Sequence, residues 1–94
     1  MDEWPFADPK NLAVITVRPI VQDGHPVLRL SHDSDDGGWQ FLTGEIVEVS
    51  QAFVVALREM IEHDPSLAIL ADLPLGWHAW RTDKDSKWER GPIE

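Results

Sequence analysis

Three consecutive pieces decide the reading of the fold: Val27-Leu28-Arg29-Leu30-Ser31-His32, then Asp33-Ser34-Asp35-Asp36-Gly37-Gly38, then Trp39-Gln40-Phe41-Leu42. In an extended chain successive side chains point to opposite faces, so Leu28 and Leu30 share one face with Arg29 on the other, and Trp39 and Phe41 likewise share a face. The middle piece has no apolar residue, and its two glycines permit positive φ. It reads as an exposed acidic loop joining two strands of a hairpin.

Upstream, Leu12 to Arg18 is rich in β-branched residues (Val14, Ile15, Thr16, Val17) and reads as another strand. Pro19 cannot donate to a ladder and should end that strand or sit on a sheet edge. Asp23-Gly24 is a turn signal. Residues 1–11, with Pro5, Pro9 and three acids, read as an irregular leader pinned by Trp4 and Phe6. Downstream, Thr43-Gly44-Glu45 breaks the hairpin strand. The period then becomes helical from about Gln51 to Glu62: Phe53, Leu57 and Ile61 stand four apart, Met60 lies beside them, and Ser50 is a fitting N-cap. Asp64-Pro65 can stop that helix and start a short second one over Ser66 to Ala71. Gly76 opens a last strand, Trp77 to Arg81, and residues 82–94 read as a polar tail carrying Trp88. The spacing therefore predicts a single α+β domain over 12–81: a mostly antiparallel sheet of about four short strands, with one main and one short helix on one face.

The chain has 94 residues and 10.7 kDa. A compact body of that mass exposes roughly 5,500 Å² against about 15,500 Å² unfolded, enough for one modest core. Eight Lys+Arg stand against 17 Asp+Glu, a formal charge of -9. Phosphate backbones and anionic membranes repel such a surface, so neither nucleic acid nor membrane is an expected partner. No apolar run approaches the ~20 residues of a membrane-spanning helix. The acidic start, Met1-Asp2-Glu3-Trp4, does not resemble a secretory signal, so a cytoplasmic location is expected. The absence of Cys removes disulfides, thiol catalysis and thiolate metal sites.

The acidic loop invites a calcium reading, since hard cations take several carboxylate oxygens. Counting from Asp33, however, the fifth position is Gly37 and the twelfth is Gly44, and the flanks read as strands, so the EF-hand spacing fails. His25, His32, His63 and His78 show no recurrent ligand spacing, and no metal or other cofactor is expected. No Gly-rich phosphate loop or nucleophile elbow appears. Glu45, between Phe41-Leu42 and Ile46-Val47, is the best candidate general acid, but carboxylates here lie in polar segments and catalysis is not expected. Arg81, Lys84, Lys87 and Arg90 are interleaved with Asp83, Asp85 and Glu89 and make a poor nucleic-acid patch. Five Trp and no Tyr are the more informative set. In a regular strand Trp77 and Trp80 face opposite ways, so one fills the core and the other is covered elsewhere or exposed, as at interface hot spots.

The run Asp36-Gly37-Gly38-Trp39-Gln40-Phe41-Leu42-Thr43-Gly44-Glu45, followed by Asp64-Pro65-Ser66-Leu67 and by Leu73-Pro74-Leu75-Gly76 with Arg81, resembles the signatures of a bacterial family, the domain of unknown function 2185, also described as immunity-protein-33-like. The resemblance covers roughly residues 26–81. It implies a small protein, in some members an immunity protein of a bacterial toxin system, with no catalytic residues to carry over.

These readings converge on a non-enzymatic domain that binds another protein through an acidic surface, with a basic toxin as the candidate partner. The candidate contact residues are Asp33, Asp35, Asp36 and Glu45, with Trp39 and Trp80 as anchors. The alternatives are a structural or regulatory homodimer, formed through a sheet edge or the Trp-rich last strand, and a small enzyme or metal-binding protein.

Overall fold

The computed structural model describes residues 4–45 and 49–93. The acidic start Met1–Glu3 and the Ile46-Val47 pair beside Glu45 lie outside the described residues. Six strands, β1 (Ala13–Val17), β2 (Arg29–His32), β3 (Trp39–Leu42), β4 (Ala52–Ala56), β5 (Trp77–Trp80) and β6 (Glu89–Pro92), form one sheet in the order β4-β1-β3-β2-β5-β6. Two α-helices, α1 (Arg18–Asp23) and α2 (Leu57–His63), and two 3-10 segments, a short one over Val49–Gln51 and a longer one over Pro65–Leu70, complete an α+β domain. Among the described residues no helix is long and apolar enough to cross a membrane. The expected count of four strands is thus too low. The sheet is also mixed, because β1 pairs with β3 in parallel while the other four pairings are antiparallel.

The hairpin forms where the alternation places it. Leu30 faces Phe41 and His32 faces Trp39 across β2 and β3. The loop closes with Asp33 N–H donating to Gly38 O at 2.8 Å and Gly37, at φ 74°, donating to Asp33 O at 2.9 Å. Val14, Leu30, Phe41 and Ala79 from the sheet meet Ile20, Leu57, Met60, Leu67 and Leu70 from the helices in one buried cluster. Inside it the Thr16 hydroxyl donates to Phe41 O at 2.9 Å, which satisfies a polar group that no water reaches.

Three segments differ from their expected form, each for a physical reason. The helix expected over Gln51–Glu62 begins only at Leu57; residues 52–56 are β4, antiparallel to β1. Val54 and Val55 are β-branched and stiff at χ1, and the ladder beside β1 rewards them more than a first helical turn would. Ala56 N–H then donates to Glu59 Oε2 at 2.7 Å, and that bond starts α2. Pro19 does end β1, but it also sits in the first turn of α1, where its missing N–H costs nothing, and Gly24 at φ 71° closes that helix. The polar tail is not free: Glu89–Pro92 pairs with β5 as β6, and Trp88 packs against the core. The leader is irregular through Lys10, with Phe6 buried and Trp4 packed beside it at a ring separation of 5.4 Å.

Candidate functional site

Cross-strand register places the side chains of the sheet face turned away from the buried cluster. Leu42, Arg29, Trp80 and Glu89 stand opposite one another in one row across β3, β2, β5 and β6. The neighbouring row runs Val54, Ile15, Gln40, Ser31, His78 and Gly91, from β4 to β6. Several large apolar side chains of this region remain in contact with solvent: Val54 is 72 % exposed, Ile93 48 %, Ile15 42 % and Trp80 37 %.

Two shallow grooves lie on this face. One, of about 530 Å³, is walled by His25, Arg29, Glu45, His78 and Trp80; the other, of about 440 Å³, shares Arg29 and His78 and continues to Pro92 and Ile93. Trp80 is held by its neighbours. Its ring lies over Gly91, where an added Cβ would stand 3.6 Å from it, and the His78 ring is 4.9 Å away. The ion pairs among the described residues are Arg81–Asp64 and Arg90–Asp72, so the Arg29 guanidinium faces the grooves without a described carboxylate partner. His25 donates from Nδ1 to Pro26 O at 2.7 Å, which leaves Nε2 as the ring nitrogen without a described bond.

The candidate residues divide. Glu45 and Trp80 line the same groove. Glu45 is exposed rather than set in an apolar pocket. Asp35 and Asp36 are exposed on the loop at the far end of β2 and β3, but Asp36 Oδ1 also accepts Gly38 N–H at 2.8 Å. Asp33 is turned onto the outer face, accepting from Ser31 Oγ at 3.1 Å and Gln40 Nε2 at 2.7 Å, which holds the loop against the sheet. Trp39 is not a surface anchor: it is 2 % exposed, stacked on His32 at 3.8 Å, edge-on to Phe6, and donates from Nε1 to Asp8 Oδ2 at 2.9 Å. Its place on the same strand face as Phe41 sends both rings into the core. Among the described residues, no three His, Asp or Glu gather in a group that could hold a metal ion. Arg29, Ile15 and Val54 belong to the face but were not among the candidates. Arg29 alone carried a sequence signal, a charge alternating with Leu28 and Leu30.

Asp64, Gly76 and Arg81 are tied into the frame. Arg81 is buried and fans out, donating from Nε to Val27 O at 3.0 Å, from Nη1 to Lys84 O at 3.1 Å and from Nη2 to Asp64 Oδ2 at 3.0 Å, with Trp88 stacked at 4.4 Å. Asp64 also caps the 3-10 helix through Ser66 N–H at 3.0 Å. Burial pushes the Asp64 carboxyl up, but the Ser66 and Arg81 hydrogen bonds and the Arg81 charge together hold it below its ordinary value. Gly76, at φ 80°, packs beside Ser34 and donates to His32 O at 2.7 Å, joining the start of β5 to the end of the hairpin.

Comparison with protein-family models, with curated proteins and with solved structures finds no match for this chain.

Proposed function

We propose that the chain is a non-enzymatic protein-binding domain that meets a basic protein partner across the uncovered sheet face. One observation carries this reading: a half-exposed Trp80 and a guanidinium without a described carboxylate partner, Arg29, stand side by side on the outer face, in one row with Leu42 and Glu89. Trp and Arg dominate interface hot spots, because each buries a large area and keeps a polar or charged handle. Acidic side chains border the face, with Asp33, Asp35 and Asp36 at one end and Glu45 and Glu89 at the other. With a charge of -9, a basic partner is attracted at long range and oriented before contact. The resemblance to immunity-protein-33-like sequences supports a toxin as that partner, as does the fit between an acidic inhibitor and a cationic channel.

The test uses the intact chain as bait in extracts of its source cells, beside Trp80→Ala and the double variant Asp35→Asn, Asp36→Asn. The expected result is one basic protein held at about 0.05 M salt, weakened toward 0.5 M as surface charges are screened. Trp80→Ala should lose it, since truncating a hot-spot Trp costs about 2 kcal/mol or more. The Asn variant should slow its capture. A partner held equally by all three proteins and at both salt concentrations defeats the reading. Growth of a deletion strain challenged with that partner then decides whether it is a toxin.

A further inference from the structure

The two edges of the sheet are protected very differently. The β6 edge, Glu89-Arg90-Gly91-Pro92, carries two charges, a glycine and a proline, the devices that stop a strand from templating another chain. The β4 edge, Ala52-Phe53-Val54-Val55-Ala56, carries none of them, and its central Val54 is 72 % exposed.

The register shows which backbone groups that edge offers. Leu57 N–H donates to Leu12 O at 2.8 Å, so the Leu12–Leu57 pair is a hydrogen-bonded pair of the β1–β4 ladder. Bonded and non-bonded pairs alternate along an antiparallel ladder. Val55 (opposite Val14) and Phe53 (opposite Thr16) therefore turn their N–H and C=O toward β1, while Ala52, Val54 and Ala56 turn theirs outward. The Ala56 N–H confirms that parity, since it is bonded to Glu59 Oε2 on the side away from β1. Ala52 and Val54 have no such bond among the described residues.

We infer that the β4 edge pairs with the β4 edge of a second copy of this chain, antiparallel about a two-fold axis at Val54. In that register Val54 meets Val54, Phe53 meets Val55 and Ala52 meets Ala56. The near-palindrome Ala-Phe-Val-Val-Ala thus sets Val against Val at the axis, Phe against Val on either side and Ala against Ala at the ends, every pair apolar and repeated by the two-fold, as an isologous contact requires. Each Val54 amide donates to the Val54 carbonyl of the other copy, and each Ala52 amide to its Ala56 carbonyl, leaving the Glu59 caps in place. Two chains of charge -9 repel, but residues 52–56 are themselves uncharged; the Glu59 carboxylate stands only at the Ala56 end of the ladder, and the Arg18 guanidinium over Phe53 offsets part of that charge. On the outer face Ile15 and Val54 of each copy join into one apolar ridge. This contact is independent of the partner proposed for the open face.

Sedimentation of the intact protein from about 1 μM to about 1 mM tests it. The expected result is a reversible dimer that tightens as salt rises from about 0.05 M to 0.5 M, because screening weakens like-charge repulsion. Val54→Lys should raise the dimer dissociation constant at least about tenfold, with circular dichroism unchanged, while Trp80→Ala leaves it unaltered. Amide exchange in the wild-type chain gives a reading that needs no variant: Ala52 and Val54 amides gain protection with concentration, while Phe53 and Val55 are protected throughout. A monomer at every concentration overturns the inference. So does a dimer that tolerates Val54→Lys but breaks with Trp80→Ala, or exchange at Val54 that is independent of concentration.

Discussion

The two faces of the sheet use the same strands and opposite accounting of water. On the inner face Leu30, Phe41 and Ala79 are wholly buried and Trp39 nearly so, and their neighbours come from α1, α2 and the 3-10 helix over Pro65–Leu70. On the outer face Ile15, Val54 and Trp80 keep contact with solvent, and the charged groups beside them, Arg29 and Glu89, are exposed. Each residue step along a strand moves a side chain from one regime to the other. The difference teaches that apolar character alone does not separate core from surface in this chain. Trp39 and Trp80 are the same residue type on strands of the same sheet, and one is structural cement while the other is available for contact.

Substitutions should expose that difference as a gradient in stability. Phe41→Ala removes a wholly buried ring from the centre of the sheet and should cost about 3–5 kcal/mol in denaturant unfolding. Arg81→Ala should follow at about 3 kcal/mol, because it strands Asp64 and frees the Val27 and Lys84 carbonyls at once. Acid titration of unfolding sharpens the second case. The folded Asp64 carboxyl is held below its ordinary 3.8, so its contribution is complete above that value and is lost as pH falls through 3.8 toward the lowered one. Arg81→Ala should lose less stability than wild type over that acid interval. Trp80→Ala should cost only about 1 kcal/mol, while its effect on partner capture is large; equal losses from Trp80→Ala and Phe41→Ala would erase the contrast between the faces. Smallest of all, Val54→Lys should change stability by no more than about 0.5 kcal/mol, as surface substitutions do, and act on self-association alone. Trp88→Phe runs the other way: the buried indole N–H has no described partner, so its removal should leave stability unchanged or raise it by about 1 kcal/mol.

The hairpin was legible because its signals are local. Alternation in Arg29–His32 and Trp39–Leu42, with an acidic glycine-containing loop between, specifies strands and turn without help from the rest of the chain. Asp64-Pro65 announced the 3-10 helix for the same reason, through a side-chain cap and a proline at its start. At residues 51–62 a four-residue apolar spacing competed with β-branching, and the strand won where β1 offered its free edge. β6 had no apolar pattern at all; Glu89–Pro92 is a strand because β5 presents backbone groups to it. Pro19 in the first turn of α1 and Gly24 just past its end are both written in the chain, and together they mark a helix that either residue alone does not. Of the candidate site, Asp33, Asp35 and Asp36 lie on the loop that the sequence marks out, while strand parity set Trp80 and Trp77 on opposite faces without saying which one the core would take. Trp39 was misjudged because parity says that two residues share a face, not which face the helices cover.

By itself the sequence determined what depends on neighbours in the chain: the hairpin, the first and last inner strands, the cap at Asp64, a charge of -9 and the lack of thiol chemistry. Only the tertiary structure decided the parallel placement of β1 beside β3, the recruitment of β4 and β6 to the two edges, and the burial of Arg81. Those choices rest on pairings between residues far apart in the chain, whose free energy comes from backbone groups and apolar surface brought together by the whole domain. The uncovered face and the unguarded β4 edge are consequences of that assembly: they are what remains in water once the helices have taken one side of the sheet.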